Sequence, residues 1–115
     1  MSNDTIFHKI IRKEIPTEII FEDDQVIVIK DISPQAPIHL LGIPKESIAS
    51  MREARPENSN VLGQLLIRLS EIATKLGLND RGYRLVINSG PDAQQTVFQL
   101  HVHLLAGREF TWPPG

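Results

Sequence analysis

Residues 96–107 read TVFQLHVHLLAG, a run in which two histidines alternate with apolar residues. His101 and His103 stand two residues apart in it, and side chains along a β-strand alternate between its two faces. Both imidazoles are therefore expected on one face together with Gln99, while the apolar residues between them point the other way into a core. The stretch predicts one long strand that ends at Gly107 and carries a polar stripe on one face.

Three kinds of site fit two imidazoles on one strand face. An imidazole with a pKa of about 6.5 offers a deprotonated nitrogen as nucleophile, and a second ring can bind or protonate the attacked group, which suits phosphorus chemistry. The pair can also share a metal ion, with His39 on a neighbouring strand as a third ligand. The third alternative is a pair on a solvent-exposed strand face, and spacing alone leaves all three open.

Upstream of this strand, helical and strand patterns follow one another without an internal repeat. Isoleucines recur at helical spacing before Pro16, and leucines recur every three or four residues before Gly77, a typical glycine after a helix end. The predicted elements are a helix at 5–14 capped by Asn3, Asp4 or Thr5, strands at 19–21, 25–32 and 38–44, a helical turn at 46–53, a long helix at 61–76, and strands at 83–88 and 96–107.

The order of these elements predicts an α+β fold. A five-stranded antiparallel sheet, with a long helix and a short N-terminal helix packed on one face, accounts for the pattern. Residues 1–115 are expected to form a single domain, since the chain is long enough for one continuous core. Residues 108–115 contain the only tryptophan, Trp112, and two consecutive prolines, which predicts an extended C-terminal tail.

Composition and the pattern of apolar residues limit which partners and which cellular compartment are expected. The 12 basic and 14 acidic residues give a net charge of −2, which argues against a nucleic-acid polymer as ligand. Cysteine is absent, so thiolate metal sites and disulfides are excluded. The N-terminal sequence lacks the apolar stretch of a secretory signal, and no apolar run approaches the ~20 residues of a membrane span. We expect a cytoplasmic protein without membrane contact.

Four stretches in the same order make the chain recognisable. They are DISPQAPIHLLGIPK (31–45), NSGPDAQQTVF (88–98), QLHVHLLAG (99–107) and WPPG (112–115). Together they closely resemble the histidine-triad (HIT) nucleotide-binding proteins, in particular the Hint-like branch of purine nucleoside phosphoramidases. The resemblance extends from roughly Ile6 to the last residue and implies a HIT-like fold.

The family pattern, three histidines alternating with apolar residues, implies roles for the residues of the last strand. It matches Gln99 to the first histidine, His101 to the second and His103 to the third. By resemblance, His101 is the nucleophile that attacks the α-phosphorus and becomes transiently nucleotidylated, while His103 and His39 contact the phosphate oxygens. Thr96 stands where the family has a serine or threonine near the leaving group.

The resemblance also implies a nucleotide site. Asp31 accepts hydrogen bonds from the two ribose hydroxyls, Asn88 contacts the nucleotide near its ribose and phosphate, and Gln95 adds amide contacts. Gln99 keeps a donor and an acceptor but cannot titrate, so an altered rate or pH profile is expected. His8, a lone histidine in a helix, is typical of a surface or packing residue and is left out of the site.

The expected function is therefore hydrolysis of a P–N or related bond in purine nucleoside phosphoramidates or adenylates, with no cofactor and no metal. The alternative is a purine-nucleotide-binding regulatory or scaffold protein whose catalysis has declined through Gln99. A metal-binding protein that uses His39, His101 and His103 is a third hypothesis. The resemblance further implies a homodimer in which Trp112 reaches toward the partner's pocket.

Overall fold

The computed structural model describes residues 4–115, so the predicted cap at Asn3 lies outside the described residues. Thr5, another of the predicted caps, does cap the first helix, with its hydroxyl accepting the backbone N–H of His8. The helices and strands are α1 (Ile6–Ile11), β1 (Ile19–Glu22), β2 (Val26–Lys30), β3 (Ile38–Pro44), α2 (Ser59–Lys75), β4 (Tyr83–Val86) and β5 (Val102–Ala106), with single 3₁₀ turns at Met51–Glu53 and Pro56–Asn58.

The five strands form one antiparallel sheet in the order β1-β2-β3-β5-β4. The predicted α+β class, with its long helix and short N-terminal helix, is confirmed. β3 and β5 are neighbours at the centre, where His39 lies opposite Leu105 and Leu41 opposite His103. This register brings histidines that are more than 60 residues apart in the chain onto adjacent strands.

The two helices lie on opposite faces of the sheet, so the prediction of one covered face is wrong. Leu65 and Leu69 of α2 pack in a core with Val28, Leu40 and Leu104. The buried residues of α1 and of the other sheet face form a second core: Phe7, Ile10, Ile27, Ile29, Leu41 and Ile43. The reason lies in β2, whose four consecutive apolar residues are all buried, as expected for a strand covered on both sides.

Gly42 allows α2 to lie close to β3. A Cβ atom at this position would stand 2.9 Å from Leu65 Cδ1 and 3.0 Å from Leu69 Cδ1. The long helix ends as predicted, since Leu76 closes it and Gly77 follows with a φ of 72°.

β5 is shorter than the predicted strand at 96–107. Residues 99 and 100 pair with the loop after β3 instead of entering the sheet: Leu100 N–H donates to the Ile48 carbonyl, and the Gln99 amide binds the same loop. The first helix is also shorter than predicted, and Lys13 beyond it has a φ of 63°, which no helix accommodates. Among residues 4–115, no helix has the length and apolar character needed to cross a membrane.

Candidate active site

The three predicted site histidines come together on the sheet face opposite α2. His39 lies on β3, His103 lies on β5, and His101 precedes β5 by one residue. The ring centroids of His39 and His103 are 5.1 Å apart, and those of His101 and His103 are 5.0 Å apart. The period of two that placed His101 and His103 on one face is therefore observed in the structure.

Hydrogen bonding fixes the tautomer of His39. The backbone N–H of Gln35 points at His39 Nδ1 over 3.0 Å, and since an N–H can only donate, Nδ1 is an acceptor. The ring hydrogen of neutral His39 is therefore on Nε2, which lies 2.9 Å from His103 Nδ1. His103 Nδ1 accepts that hydrogen, so neutral His103 carries its own hydrogen on Nε2.

His101 has the opposite tautomer. Its Nδ1 lies 2.9 Å from the backbone carbonyl of Gln99, and a carbonyl can only accept, so Nδ1 carries the hydrogen. The lone pair of the ring is left on Nε2. The edge of Phe7 packs on this ring, with centroids 4.8 Å apart and an interplanar angle of 71°, which restricts its rotation.

Burial keeps all three imidazoles neutral at physiological pH. It is the main cause that lowers the pKa of His39 and of His101 below the ordinary imidazole value. It also lowers the pKa of His103 to about 4, with further lowering by His101 and His39. The Asp31 carboxylate acts against burial in each case and lies 3.4 Å from His39 Nε2. Because His39 is neutral and donates its Nε2 hydrogen to His103, this contact is not an ion pair.

Gln99 and Gln95 hold the backbone around the histidines. The Gln99 side chain is fully buried, where Nε2 donates to the Pro44 and Glu46 carbonyls and Oε1 accepts Ile48 N–H. Gln95 is likewise buried; its Oε1 accepts Gly90 N–H, and its Nε2 donates to two carbonyls. Both amides are thus occupied by backbone groups.

The other predicted residues surround the cluster. The Oδ1 atom of Asp31 accepts Ser33 N–H over 2.7 Å, and its other oxygen faces His39. Asn88 is half-buried two residues after β4, and Thr96 is exposed on the loop before the histidines. Since Val86 pairs with His103, the chain that continues from β4 leads Asn88 toward His101.

An apolar cleft of about 210 Å³ adjoins the histidines and was not predicted. Asp31 and Leu41 line it on the histidine side, and Ile32 stands at its rim with 93% of its surface exposed. The wall on the other side is α1, with Ile6, Phe7 and Ile10. From sequence, the α1 residues are simply the buried stripe of a helix, and no signal in the sequence marks the cleft.

A second cavity, of about 540 Å³, lies at the N-terminal end of α1 and has a different character. Its lining includes the acidic residues Asp4, Glu46, Glu53 and Glu57 with Arg55, and it includes none of the three site histidines. It also lacks Asp31 and Phe7, two cleft residues that contact the histidines, so it is separate from the imidazole cluster.

Asp31, His39 and His103 form the group best placed to hold a metal ion in the described part of the chain. One potential ligand atom from each lies within 4.8 Å of the others. A carboxylate with two imidazoles suits zinc. This set differs from the sequence-based trio, because Asp31 takes the place that was predicted for His101.

Comparisons with known proteins agree on one family. The family model described as "Scavenger mRNA decapping enzyme C-term binding" matches residues 4–110. An uncharacterized HIT-like protein of Synechococcus elongatus is 54% identical over the whole of both chains. The adenylylsulfatase HINT1 of Arabidopsis thaliana is 46% identical over 96% of this chain and 76% of its own. The crystal structure of a HIT family hydrolase from Legionella pneumophila superposes with a TM-score of 0.95 at 45% identity, covering 97% of this chain and all of the other.

Proposed function

The chain belongs to the histidine-triad (HIT) family, and from that premise we propose that it is a hydrolase that cleaves a bond at the α-phosphorus of purine nucleotides. Nucleoside phosphoramidates and related adenylates are the proposed substrates, in keeping with the adenylylsulfatase among its relatives. One observation carries the proposal: the hydrogen-bond chain leaves the His101 Nε2 lone pair beside His103, whose free nitrogen is a donor.

In the first step, His101 Nε2 forms a bond to the α-phosphorus, and the bond from phosphorus to the leaving nitrogen or oxygen breaks. The leaving group takes up a proton, and Thr96 on the exposed loop is the residue proposed to relay it. The ring then carries a phosphorus on Nε2 and a hydrogen on Nδ1, so it is cationic. The backbone carbonyl of Gln99, 2.9 Å from Nδ1, stabilises that charge by accepting a hydrogen bond from Nδ1–H.

In the second step, water attacks phosphorus and gives up a proton to solvent while the bond to Nε2 breaks, which returns the lone pair to His101 and releases a nucleoside monophosphate. Donors fixed in advance toward the phosphate oxygens lower the barrier in both steps. The outward-facing Nε2–H of His103 is such a donor, and His39 holds it in that tautomer through the 2.9 Å contact with His103 Nδ1. Asn88 is the proposed contact near the ribose and phosphate.

The apolar cleft is the proposed place for the purine ring. Its walls are aliphatic and aromatic, which suits a flat base, and a ligand there would cover Ile32. Asp31 lies between the cleft and the histidines, so its carboxylate is placed to accept from the vicinal ribose hydroxyls. The position of Asp31 gives the nucleotide one orientation, with the base in the cleft and the α-phosphate at the imidazoles.

A substitution at the rim tests this placement. Ile32→Ser is expected to weaken AMP binding by about three- to tenfold, since it removes the apolar surface that would close on the base. Its matched control is Leu76→Ser, which alters an exposed apolar residue at the end of α2. Both variants should keep the melting temperature of the wild type. Equal AMP affinity in both would place the base elsewhere.

The rival proposal of a nucleotide-binding scaffold differs in turnover alone. Gln99 meets its hydrogen-bond needs through backbone groups, and its own carbonyl still orients His101, which supports retained catalysis. The test is to incubate the protein with an adenosine phosphoramidate and to titrate it with AMP in a calorimeter. Release of AMP supports the hydrolase, whereas AMP binding without release supports the scaffold.

The Asp31, His39 and His103 group supports a second candidate function, zinc binding. A bound ion would take the lone pair of His103 Nδ1 and would require His39 Nε2 to lose its hydrogen, so it would replace the contact that now joins the two rings. Elemental analysis before and after chelation separates the two functions. Stoichiometric zinc that survives chelation would favour the metal site, whereas full hydrolysis by metal-free protein would support the imidazole mechanism.

We also propose that the protein is a cytoplasmic homodimer. Support comes from β4 at the edge of the sheet and from Ile67 on α2, which is a largely exposed apolar side chain. The tail turns back on β4, where Arg84 donates to the Thr111 carbonyl over 3.0 Å, and it presents Trp112 with 81% of its surface exposed. A partner protomer would cover these surfaces, and Trp112 is the residue proposed to reach its pocket.

A further inference from the structure

We propose that His8 is a positioning residue that ties α1 to the loop after β3 and thereby holds the nucleoside cleft in its binding shape. The inference rests on the proposed function, because it concerns the affinity of that cleft for a nucleotide. A lone helical histidine is typical of a surface residue, yet His8 makes hydrogen bonds through both ring nitrogens.

One ring nitrogen completes the cap of the helix. Thr5 N–H donates to His8 Nδ1 over 3.0 Å, and His8 N–H donates back to Thr5 Oγ1 over 3.3 Å. The pair forms a capping box in which histidine takes the place usually held by glutamate or glutamine. Because Nδ1 accepts, the hydrogen of the neutral ring is on Nε2.

The other ring nitrogen reaches a distant segment. His8 Nε2 lies 3.2 Å from Ser47 Oγ, a residue 39 positions along the chain, and as the protonated nitrogen it donates to that hydroxyl. Ser47 lies between Glu46 and Ile48, whose backbone groups bind the Gln99 amide. This loop is therefore held by the residue that orients His101 on one side and by α1 on the other.

The tie matters because α1 has six residues and cannot be stable without its packing and caps. Three of those residues, Ile6, Phe7 and Ile10, line the cleft, and Phe7 also packs on His101. A loosened helix lowers the fraction of protein with a formed cleft, and the apparent affinity falls by the same factor. A bound nucleotide restores the helix, so the effect falls on binding and not on turnover.

Two substitutions break the contact from its two ends. His8→Gln keeps an acceptor for Thr5 N–H, as glutamine does in other capping boxes, but loses the Ser47 contact. Ser47→Ala removes the hydroxyl and leaves the cap. Each is expected to shift the equilibrium between loosened and docked α1 by about two- to tenfold, the range for loss of one hydrogen bond, and to raise the Kd for AMP by up to that factor. The double variant should be no weaker than the weaker single variant, since both remove the same contact.

Turnover and a neighbouring variant provide the controls. The kcat for an adenosine phosphoramidate should stay within about twofold of the wild type in all three variants. Lys9→Gln alters the next residue of the same helix, is exposed, and is expected to leave both Kd and kcat unchanged. Unchanged Kd in His8→Gln and Ser47→Ala, additive effects in the double variant, or a loss of kcat that matches the loss of affinity would each overturn the proposal.

Amide hydrogen exchange without nucleotide separates this proposal from the proposed function. Residues 6–11 should exchange faster, by up to the same two- to tenfold shift, in His8→Gln and Ser47→Ala than in the wild type or Lys9→Gln. If the wild type neither binds AMP nor hydrolyses the phosphoramidate, the proposed function fails, while faster exchange in the two variants still supports the tie. Exchange equal to wild type in both variants refutes it.

Discussion

Replacing Gln99 with glutamate tests the role of this residue at nearly constant size. The Gln99 Nε2 group donates to the carbonyls of Pro44 and Glu46, each over 2.8 Å, in a side chain with no exposed surface. In Gln99→Glu a carboxylate oxygen faces both carbonyls, so two hydrogen bonds become two repulsive contacts. A buried carbonyl without a donor costs about 1–3 kcal/mol, so for two carbonyls the free energy of unfolding should fall by about 2–6 kcal/mol.

The loss of unfolding free energy can be converted into a drop in melting temperature, because the entropy of unfolding scales with chain length. For 115 residues, the entropy of unfolding at the midpoint is about 0.24 kcal/mol/K, so each 1 kcal/mol corresponds to about 4 °C. Gln99→Glu should therefore melt about 8–24 °C below the wild type at pH 8. The control is Gln94→Glu, an exposed residue of the same loop, which should melt within about 2 °C of the wild type.

The deficit should also depend on pH with a definite sign. Burial and the two carbonyls favour the neutral form of the new carboxyl, which raises its folded-state pKa above about 4.3. Its contribution to stability is then present at low pH and lost as pH rises through the raised pKa. Calorimetry at pH 5 and pH 8 checks this. A deficit under about 2 °C at pH 8, or one that grows on acidification, would refute the structural role of Gln99.

Three further predictions concern the imidazoles and the tail. Burial lowers the pKa of His101, so kcat/KM should persist below pH 6.5; an acidic limb centred at or above 6.5 would contradict neutral His101. Because the pKa of His103 is lowered in the folded protein, its neutral ring contributes to stability above about pH 6.5, and this contribution should be lost as pH falls toward 4. In denaturation experiments, the stability advantage of wild type over His103→Asn should therefore shrink over this range. A constant difference would count against burial of a neutral ring. Trp112→Ala should weaken dimerisation in sedimentation or change leaving-group preference, and a variant unchanged in both would exclude the proposed tail contact.

Local sequence signals predict the bounds of a helix or strand correctly where characteristic residues stand at both of its ends. The strand at 38–44 was predicted with the bounds it has, since Pro37 precedes it and Pro44 closes it. The β-rich run at 25–32 predicts β2, and its buried apolar residues on both faces are typical of a strand covered on both sides. The prediction that places α1 on the same face as α2 is therefore wrong.

Long-range hydrogen bonds explain most of the remaining differences. The alternation in 96–107 predicts one strand. The Gln99 side-chain amide and the Leu100 N–H instead bind a loop about 50 residues away in the chain, so residues 99 and 100 do not join the sheet. The histidines of the site could be predicted because period two and family resemblance are local patterns. The cleft and the contact between His8 and Ser47 depend on how α1 docks, and no local pattern encodes that.

The central claim is that His101 Nε2 attacks the α-phosphorus while Gln99 occupies the first triad position. Single-turnover hydrolysis of an adenosine phosphoramidate labelled in its phosphate, by wild type and His101→Ala, tests it most directly when the nucleotidylated protein is trapped by rapid quenching. We expect a labelled wild-type protein that forms before AMP is released, and neither label nor AMP from His101→Ala. Intact AMP binding by a wild type that gives no label and no hydrolysis would contradict the account.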